Sequence, residues 1–228
     1  MKKYQEDFLI HLIRSEALKF GTFKLKSGRI SPYFINIAKA MNTGSKASMT
    51  ANSYASEIVN GHIGVDFDYI HGPAYKGIPL SVMISSKLWD VYSIEKRWGY
   101  DRKEIKDYGD NTEKELIGDI RDGDSVLIVD DVITTGKTKI DNWKTLSYFK
   151  KDLKPKGILV AVDRQEIDES GRPTSEILEE EGLPVYSILK ISDVFEYLFE
   201  RSINGKTYVD EEIKKCFDDY FKKYGVKD

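Results

Sequence analysis

The stretch of sequence that decides the fold is Val126-Leu127-Ile128-Val129-Asp130-Asp131-Val132-Ile133-Thr134-Thr135-Gly136-Lys137-Thr138. Its first four residues are apolar and predict a strand that is buried on both faces, as in parallel sheets. Asp130 and Asp131 then lie at the carboxyl end of that strand, where open α/β sheets bind their ligands. Adjacent carboxylates repel each other unless hydroxyl groups or a cation stabilise them. The pattern therefore favours a ligand-binding site.

The turn after the two acids is rich in threonine and glycine. Such a turn can direct backbone N–H groups and hydroxyls at one anion, and a helix that begins after it adds the positive end of its dipole. A diol for the carboxylates and a phosphate for the turn together predict a sugar phosphate as the ligand. The structural alternative is that the acids cap the helix, but a cap needs one acid and the helix-permissive stretch begins three residues later.

The same segment ends like a P-loop, whose pattern is G-x-x-x-x-G-K-[ST]. The first glycine of that pattern would fall at Asp131. A carboxylate there would repel the phosphates that the loop encloses, and it lacks the backbone freedom of glycine. The sequence therefore argues against an ATPase.

Composition narrows the function further. The chain has 228 residues and a formal net charge of −3, so no global positive field favours nucleic acid. Its one cysteine, Cys216, excludes an internal disulfide and a cysteine-based metal cluster, and we expect it to fill space on the apolar face of a C-terminal helix. We find no apolar run of membrane-spanning length and no apolar core of a signal peptide near Met1. We expect one cytoplasmic domain over residues 1–228, with no nucleic-acid or membrane partner.

The rest of the chain alternates strands and helices. A helix within residues 4–19 and a hairpin of two strands near residues 20–37 precede the main sheet. Apolar runs predict five parallel strands, at residues 69–71, 91–94, 126–129, 157–162 and 185–189. The predicted fold class is therefore α/β, with a doubly wound, mostly parallel five-stranded sheet, flanking helices and a small N-terminal hood formed by about residues 1–40 together with C-terminal elements.

Two further motifs follow predicted strands of this sheet. The first is Gly72-Pro73-Ala74-Tyr75-Lys76-Gly77, whose backbone amides and lysine can hold a pyrophosphate. The alternative is a plain turn between a strand and a helix. The second is Asp163-Arg164-Gln165-Glu166, in which Arg164 can bind a carboxylate through two parallel hydrogen bonds or can form a salt bridge with Asp163 or Glu166. The residues alone leave both alternatives open.

Two segments carry candidate cations outside the strands. Residues 100–109 belong to the longest irregular stretch, which is typical of a functional lid or of a solvated loop of mixed charge. Its basic residues are Arg102, Lys103 and Lys106. Lys26, in Lys26-Ser27-Gly28-Arg29, is either a surface residue or a ligand contact.

In this order, these motifs resemble those of the orotate phosphoribosyltransferase family. The resemblance covers about residues 4–200. It is carried by residues 24–29 with 31–34, 72–79, 102–107, 129–136 and 163–166. The segment 129–136 is shared with many phosphoribosyltransferases, whereas the Lys-Ser-Gly-Arg, Pro-Ala-Tyr-Lys-Gly-Ile-Pro and Asp-Arg-Gln-Glu segments point to the orotate branch.

The resemblance implies that orotate reacts with 5-phosphoribosyl-1-pyrophosphate to give orotidine 5′-monophosphate and pyrophosphate, in pyrimidine biosynthesis. It implies Mg²⁺ held mainly by substrate oxygens, with Asp131 at most a contact through water. It also implies a homodimer in which the 100–109 loop acts in the neighbouring subunit.

The same resemblance implies roles for individual residues. The implied catalytic residues are Lys103, Asp130 and Asp131. The implied phosphoribosyl pyrophosphate site comprises Lys26, Tyr75, Lys76, Arg102, Lys103, Lys106, Tyr108, Asp130, Asp131, Val132, Ile133, Thr134, Thr135, Gly136, Lys137 and Thr138. The implied orotate site comprises Lys26, Phe34, Ile35, Thr134 and Arg164, with Arg164 binding the carboxylate.

Two positions depart from the family pattern. Tyr108 stands where the family usually has a histidine, and a phenol with a pKa near 10 is a poor proton carrier at neutral pH. Lys137 stands where a small residue or threonine is commoner, and it either contacts the phosphate or points to solvent. A purine phosphoribosyltransferase and a non-catalytic ligand-binding regulator of the same fold are the alternative functions.

Overall fold

The fold is described from a computed structural model, which covers residues 1–25, 27–102, 116–133 and 136–227. Its helices are α1 (Lys3–Arg14), α2 (Gly44–Asn60), α3 (Gly77–Tyr92), α4 (Lys137–Phe149), α5 (Thr174–Glu180), α6 (Ile191–Leu198) and α7 (Glu211–Tyr224), with a short 3-10 helix over Ile37–Ala40. Its strands are β1 (Leu18–Lys24), β2 (Ile30–Ile35), β3 (Tyr69–His71), β4 (Arg97–Asp101), β5 (Leu116–Gly118), β6 (Ser125–Val132), β7 (Lys154–Asp163), β8 (Val185–Lys190), β9 (Ser202–Ile203) and β10 (Lys206–Thr207).

The main sheet has six strands in the order β5-β4-β3-β6-β7-β8. Strands β4, β3, β6, β7 and β8 run parallel, and β5 pairs antiparallel with β4 at one edge. The predicted fold class is confirmed, but the predicted number of five strands is wrong by the short edge strand. Strand β5 has only three residues, too few for an alternating pattern to be recognised in the sequence.

One predicted strand is wrong in position. Residues 91–94 were expected to form a strand because valine, tyrosine and isoleucine favour strands. In the structure α3 continues to Tyr92 and ends at Ser93, whose φ of 56° is left-handed. Tyr92 packs against the core, so tertiary burial extends the helix beyond the point where propensity favours a strand. The strand follows instead at Arg97–Asp101.

Strand β6 is covered on both faces, as its apolar run predicts. Leu127 and Val129 belong to a core cluster that also contains Tyr54 of α2. Val126 and Ile128 belong to a second cluster, which contains side chains of α4 and α5. Because successive strand residues point to opposite faces, this alternation shows helices on both sides of the sheet.

The order in which the chain adds strands to the sheet reverses between the neighbouring parallel strands β3 and β6. From β3 it passes through α3 to β4 on one side, and from β6 it passes through α4 to β7 on the other. In open α/β sheets, ligands bind at the carboxyl ends of the strands that border such a reversal. The segments that follow β3 and β6 are therefore the structural candidates for a site.

The hairpin β1–β2 packs against the C-terminal helices. The Phe20 and Phe195 ring centroids are 5.4 Å apart, and Tyr33 contacts Phe217 of α7. The prediction that Cys216 fills an apolar face is wrong. The buried face of α7 contains Phe217 and Tyr220, and Cys216, which precedes Phe217 in the sequence, is exposed to solvent. Among the residues described above, no helix combines the length and apolar character needed to cross a bilayer.

Candidate active site

The two acids at the end of β6 each meet a different lysine. Asp130 forms an ion pair with Lys139 of α4, and Asp131 forms one with Lys76 at the start of α3. Consecutive strand residues point to opposite faces of the sheet, so each acid reaches the helix that covers its own side. The like charges expected to repel each other are thereby compensated from two directions.

Asp130 is held from several sides. Its backbone carbonyl accepts a hydrogen bond of 2.7 Å from the hydroxyl of Tyr54, and its Oδ1 accepts one of 2.8 Å from the backbone N–H of Asp131. Burial raises the pKa of Asp130 above its ordinary value, while the ammonium of Lys139 opposes that rise and Asp131 adds to it. Burial therefore disfavours the ionised form of the Asp130 carboxyl, and Lys139 favours that form.

The loop Gly72–Gly77 connects β3 to α3 and closes tightly on itself. A Cβ on Gly72 would lie 2.0 Å from the carbonyl oxygen of Gly77, so no side chain fits there. The backbone N–H of Ala74 donates to the Asp101 carboxylate at 3.0 Å, and the peptide bond after Ala74 is cis. Lys76 precedes the first residue of α3, and its side chain is 48% exposed.

Tyr75 in the same loop is exposed, so its ring is accessible from solvent. This loop follows β3, the strand that pairs with β6. Lys76 therefore lies beside Asp131, and the role of this loop in binding pyrophosphate stays a prediction.

Helix α4 begins at the same edge of the sheet. Gly136 precedes its first residue with a left-handed φ of 71°, a conformation that favours glycine. Lys137 and Thr138 are exposed in the first turn, while Val132 is half-buried and Ile133 is buried at the end of β6. The positive end of the helix dipole thus lies beside the acids, an arrangement suited to a phosphate.

Arg164 follows β7, the neighbour of β6, and forms a salt bridge rather than standing free. Its Nε and Nη2 donate to Oε1 of Glu166 at 3.0 and 2.6 Å, and its guanidinium lies 4.5 Å from the ring centroid of Tyr33. The structure thus contains the predicted alternative, the ion pair with Glu166. Because both contacts use the Nε side of the guanidinium, the pair leaves the Nη1 side for another carboxylate.

The Glu166 carboxylate accepts hydrogen bonds from residues that are distant in the sequence. It accepts hydrogen bonds from Arg29 at 3.3 Å, from the hydroxyl of Tyr33 at 3.2 Å and from the hydroxyl of Tyr220 at 2.8 Å. These residues come from the N-terminal hairpin and from α7. Glu166 therefore fixes Arg164 and the hood to one point of the sheet.

Phe34 and Ile35 lie on the hairpin, not at the sheet edge. Phe34 is partly exposed and stacks on Phe23 with ring centroids 5.7 Å apart, and Ile35 packs against the core. Their neighbour Tyr33 contacts Arg164, so the hairpin brings this segment toward the end of β7.

Several predicted site residues lie outside the described residues. They are Lys26, Lys103, Lys106, Tyr108, Thr134 and Thr135. Arg102 is described, and it directly follows β4. Sequence analysis missed Lys139 as the partner of Asp130, and it named Glu166 only as an alternative salt-bridge partner of Arg164. The signal for Lys139 is its spacing of three and seven residues from Asn142 and Leu146, which are buried on the same face of α4.

Comparisons with known proteins identify the family of this chain. The family model of the phosphoribosyl transferase domain matches residues 38–158. The orotate phosphoribosyltransferases of Clostridium acetobutylicum and Clostridium beijerinckii are 38% and 39% identical to this chain, each over 100% of both sequences. The crystal structure of orotate phosphoribosyltransferase from Francisella tularensis is 32% identical, with a TM-score of 0.80 over 96% of this chain and 100% of that chain. This chain belongs to the orotate phosphoribosyltransferase family.

Proposed function

We propose that this protein transfers the 5-phosphoribosyl group of 5-phosphoribosyl-1-pyrophosphate to orotate, giving orotidine 5′-monophosphate and pyrophosphate in pyrimidine biosynthesis. The observation that carries the proposal is the meeting of three features at one sheet edge: the two acids after β6, the closed loop after β3 and the N-terminus of α4. Each feature suits one part of a pyrophosphorylated ribose phosphate.

The acids suit the ribose. Asp130 and Asp131 would accept hydrogen bonds from the 2′- and 3′-hydroxyls, and their charge would stabilise the positive charge that develops on the ring as the bond to pyrophosphate breaks. The bonding electrons leave with pyrophosphate, while an orotate ring nitrogen releases its proton to solvent or to the departing pyrophosphate and forms the new bond to the same carbon. The supporting observation is that both carboxylates lie at the strand end with limited exposure.

The 5′-phosphate and the pyrophosphate each suit one of the two loops. The 5′-phosphate would bind along residues 132–138, where Gly136, Lys137 and Thr138 begin α4. The pyrophosphate would bind Tyr75 and Lys76, and Lys76 would leave Asp131 to reach it. Lys26, Arg102, Lys103, Lys106 and Tyr108 belong to the same proposal, with the 100–109 loop excluding water and Lys103 stabilising the leaving group.

The orotate site is proposed at Arg164, Phe34, Ile35, Thr134 and Lys26. Arg164 would bind the orotate carboxylate with the guanidinium edge that Glu166 does not use. Glu166 would then hold the guanidinium in a fixed plane, so that little orientational freedom is lost when orotate binds.

The donor atoms near the acids fit Mg²⁺ only with help from substrate. Carboxylate oxygens are ligands that Mg²⁺ prefers, but both acids are paired with lysines, and the described residues contain no group of three or more His, Cys, Asp or Glu side chains able to hold a metal. We therefore propose an ion held mainly by substrate oxygens, with Asp131 at most contacting it through water. When bound, Mg²⁺ would neutralise charge on the pyrophosphate.

A homodimer is part of the proposal, with the 100–109 loop acting in the neighbouring subunit. Its support is a surface hollow in which the apolar side chains of Val82, Trp89 and Trp98 lie among polar and charged residues of α3 and β4. The Trp89 side chain is 58% exposed. The assignment of residues 1–228 to one domain and the cytoplasmic location stay predictions.

Substitution of Arg164 tests the orotate assignment. Arg164→Ala should raise the KM for orotate at least about tenfold, because a carboxylate loses a charge-assisted pair of hydrogen bonds. Arg164→Lys keeps the charge without the fork and should fall between alanine and the native residue. The measurement is loss of orotate absorbance with 5-phosphoribosyl-1-pyrophosphate and Mg²⁺. Unchanged orotate kinetics in Arg164→Ala would refute the assignment of Arg164 to the orotate carboxylate, whereas a native protein that consumes no orotate would favour the purine alternative, which does not need this residue.

A further inference from the structure

Lys139 occupies a position that is unfavourable for a lysine in two ways. It lies in the first turn of α4, where the positive end of the helix dipole disfavours a cation. Its side chain is only 8% exposed, so the ammonium has also lost most of its hydration. The ion pair with Asp130 is the compensation that the structure provides. A locally unfavourable residue that points at a site acid indicates a functional role.

The two lysines of the acid pair differ in freedom. Lys76 precedes α3 on an exposed loop and its side chain is 48% exposed, so it can leave Asp131 at little cost in desolvation. Lys139 is enclosed by the sheet and by its own helix, and its partner Asp130 is also bonded through its backbone to Tyr54 of α2. One ion pair is thus releasable and the other is fixed.

We propose that Lys139 is a positioning residue, which holds Asp130 ionised and oriented for the ribose hydroxyls while Asp131 gives up its own lysine to the substrate. This inference rests on the proposed function and assigns different tasks to the two acids. Asp130, permanently balanced by Lys139, binds the diol equally well before and during reaction. Asp131, released by Lys76, carries the net negative charge that acts on the developing positive charge of the ribose ring.

The proposal predicts a split between the kinetic constants. Without Lys139, Asp130 is protonated or turned away, and a charge-assisted hydrogen bond to the ribose becomes a neutral one, which corresponds to about a tenfold loss of affinity. An interaction that is equally strong in the ground state and the transition state affects KM and leaves kcat unchanged. Lys139→Met should therefore raise the KM for 5-phosphoribosyl-1-pyrophosphate about tenfold, with kcat and the KM for orotate nearly unchanged.

Lys144→Met is the matched control, because Lys144 is exposed on the same helix. It should leave both constants at the native values. Lys139→Arg keeps the charge and should keep the KM for 5-phosphoribosyl-1-pyrophosphate closer to native than Lys139→Met does. A merely structural role for Lys139 would instead lower kcat through a smaller folded fraction and leave KM unchanged, and that result would overturn the proposal.

A double-mutant cycle tests whether Lys139 acts through Asp130. In an Asp130→Asn chain no carboxylate remains to be held, so adding Lys139→Met should change the affinity for 5-phosphoribosyl-1-pyrophosphate no further, as measured by calorimetry without orotate. The double variant buries no unpaired charge. It can therefore be compared with Asp130→Asn even where Lys139→Met alone does not fold. Effects that add in the cycle would show that Lys139 contacts the substrate itself and would overturn the proposal. If the native chain fails to convert orotate, the proposed function fails, whereas native activity with no effect of Lys139→Met defeats this inference alone.

Discussion

Glu166 is the residue whose substitution tests the architecture of the orotate site most closely. Its carboxylate accepts hydrogen bonds from Arg164, Arg29, Tyr33 and Tyr220, at distances between 2.6 and 3.3 Å. Glu166→Gln keeps the size of the side chain but removes its charge. The amide nitrogen of glutamine cannot accept a hydrogen bond, so at least one of these donors loses its partner.

The expected loss of stability follows from the kind of bond that is lost. A hydrogen bond to a charged group contributes about 1.5–3 kcal/mol and a neutral one about 0.5–1.5 kcal/mol, so weakening two or three bonds costs about 2–3 kcal/mol. For a chain of this length, that corresponds to a decrease in Tm of about 5–10 °C. The guanidinium of Arg164 also loses its fixed plane, and the KM for orotate should rise several-fold while the KM for 5-phosphoribosyl-1-pyrophosphate stays constant.

The assay combines thermal unfolding with steady-state kinetics for each substrate. Glu169→Gln is the matched control, because Glu169 is exposed in the same segment and its substitution should change neither Tm nor KM. A Glu166→Gln protein with native Tm and native KM for orotate would refute the conclusion that Glu166 fixes Arg164 and the hood.

Three further outcomes are expected. Gly72→Ala places a Cβ 2.0 Å from the Gly77 carbonyl oxygen and should lower Tm by more than about 5 °C and weaken pyrophosphate binding, whereas a Cβ on Gly44 meets nothing within 4 Å and Gly44→Ala should be neutral. Burial raises the pKa of Tyr69, so the folded chain keeps a phenol proton that the unfolded chain loses, and stability should fall as pH rises above about 10, with a shallower slope in Tyr69→Phe. Trp89→Glu replaces an exposed tryptophan of the surface hollow with a charged residue and should convert a dimer to monomers in sedimentation, with loss of activity.

Each of these outcomes has a clear contrary result. A native Tm for Gly72→Ala would mean that the loop is not closed on itself. Equal slopes of unfolding free energy against pH in the native chain and Tyr69→Phe would mean that this phenol titrates alike in both states. An active dimer of Trp89→Glu would place the subunit interface elsewhere on the molecule.

The centre of the fold could be predicted because it depends on local patterns. The apolar residues of β6 require burial on both faces, and the two acids after them require a ligand or counter-ions, so strand and site are linked within a single stretch. The position of β4 could not be predicted in the same way. That strand lies next to the short edge strand, is only half-buried and contains Arg97 and Asp101, so it lacks an apolar run.

The site was predicted where backbone chemistry defines it and was missed where side chains meet across the fold. The glycines of the Gly72–Gly77 loop and Gly136 before α4 are visible in the sequence, because the close approach of Gly72 to Gly77 leaves no room for a side chain and Gly136 has a left-handed conformation. The partner of Asp130 is not visible, and the sequence offers both Asp163 and Glu166 to Arg164 without deciding between them, because nothing local in the sequence determines which charge each residue meets. Only the three-dimensional structure pairs Lys139 with Asp130 and gathers Arg29, Tyr33 and Tyr220 around Glu166.

The central claim is tested most directly by supplying the purified protein with 5-phosphoribosyl-1-pyrophosphate, Mg²⁺ and one acceptor base at a time. We predict that orotate absorbance is lost and that pyrophosphate is released in equal amount, whereas adenine, hypoxanthine and guanine give no release above background. Pyrophosphate release with a purine and none with orotate would contradict the account.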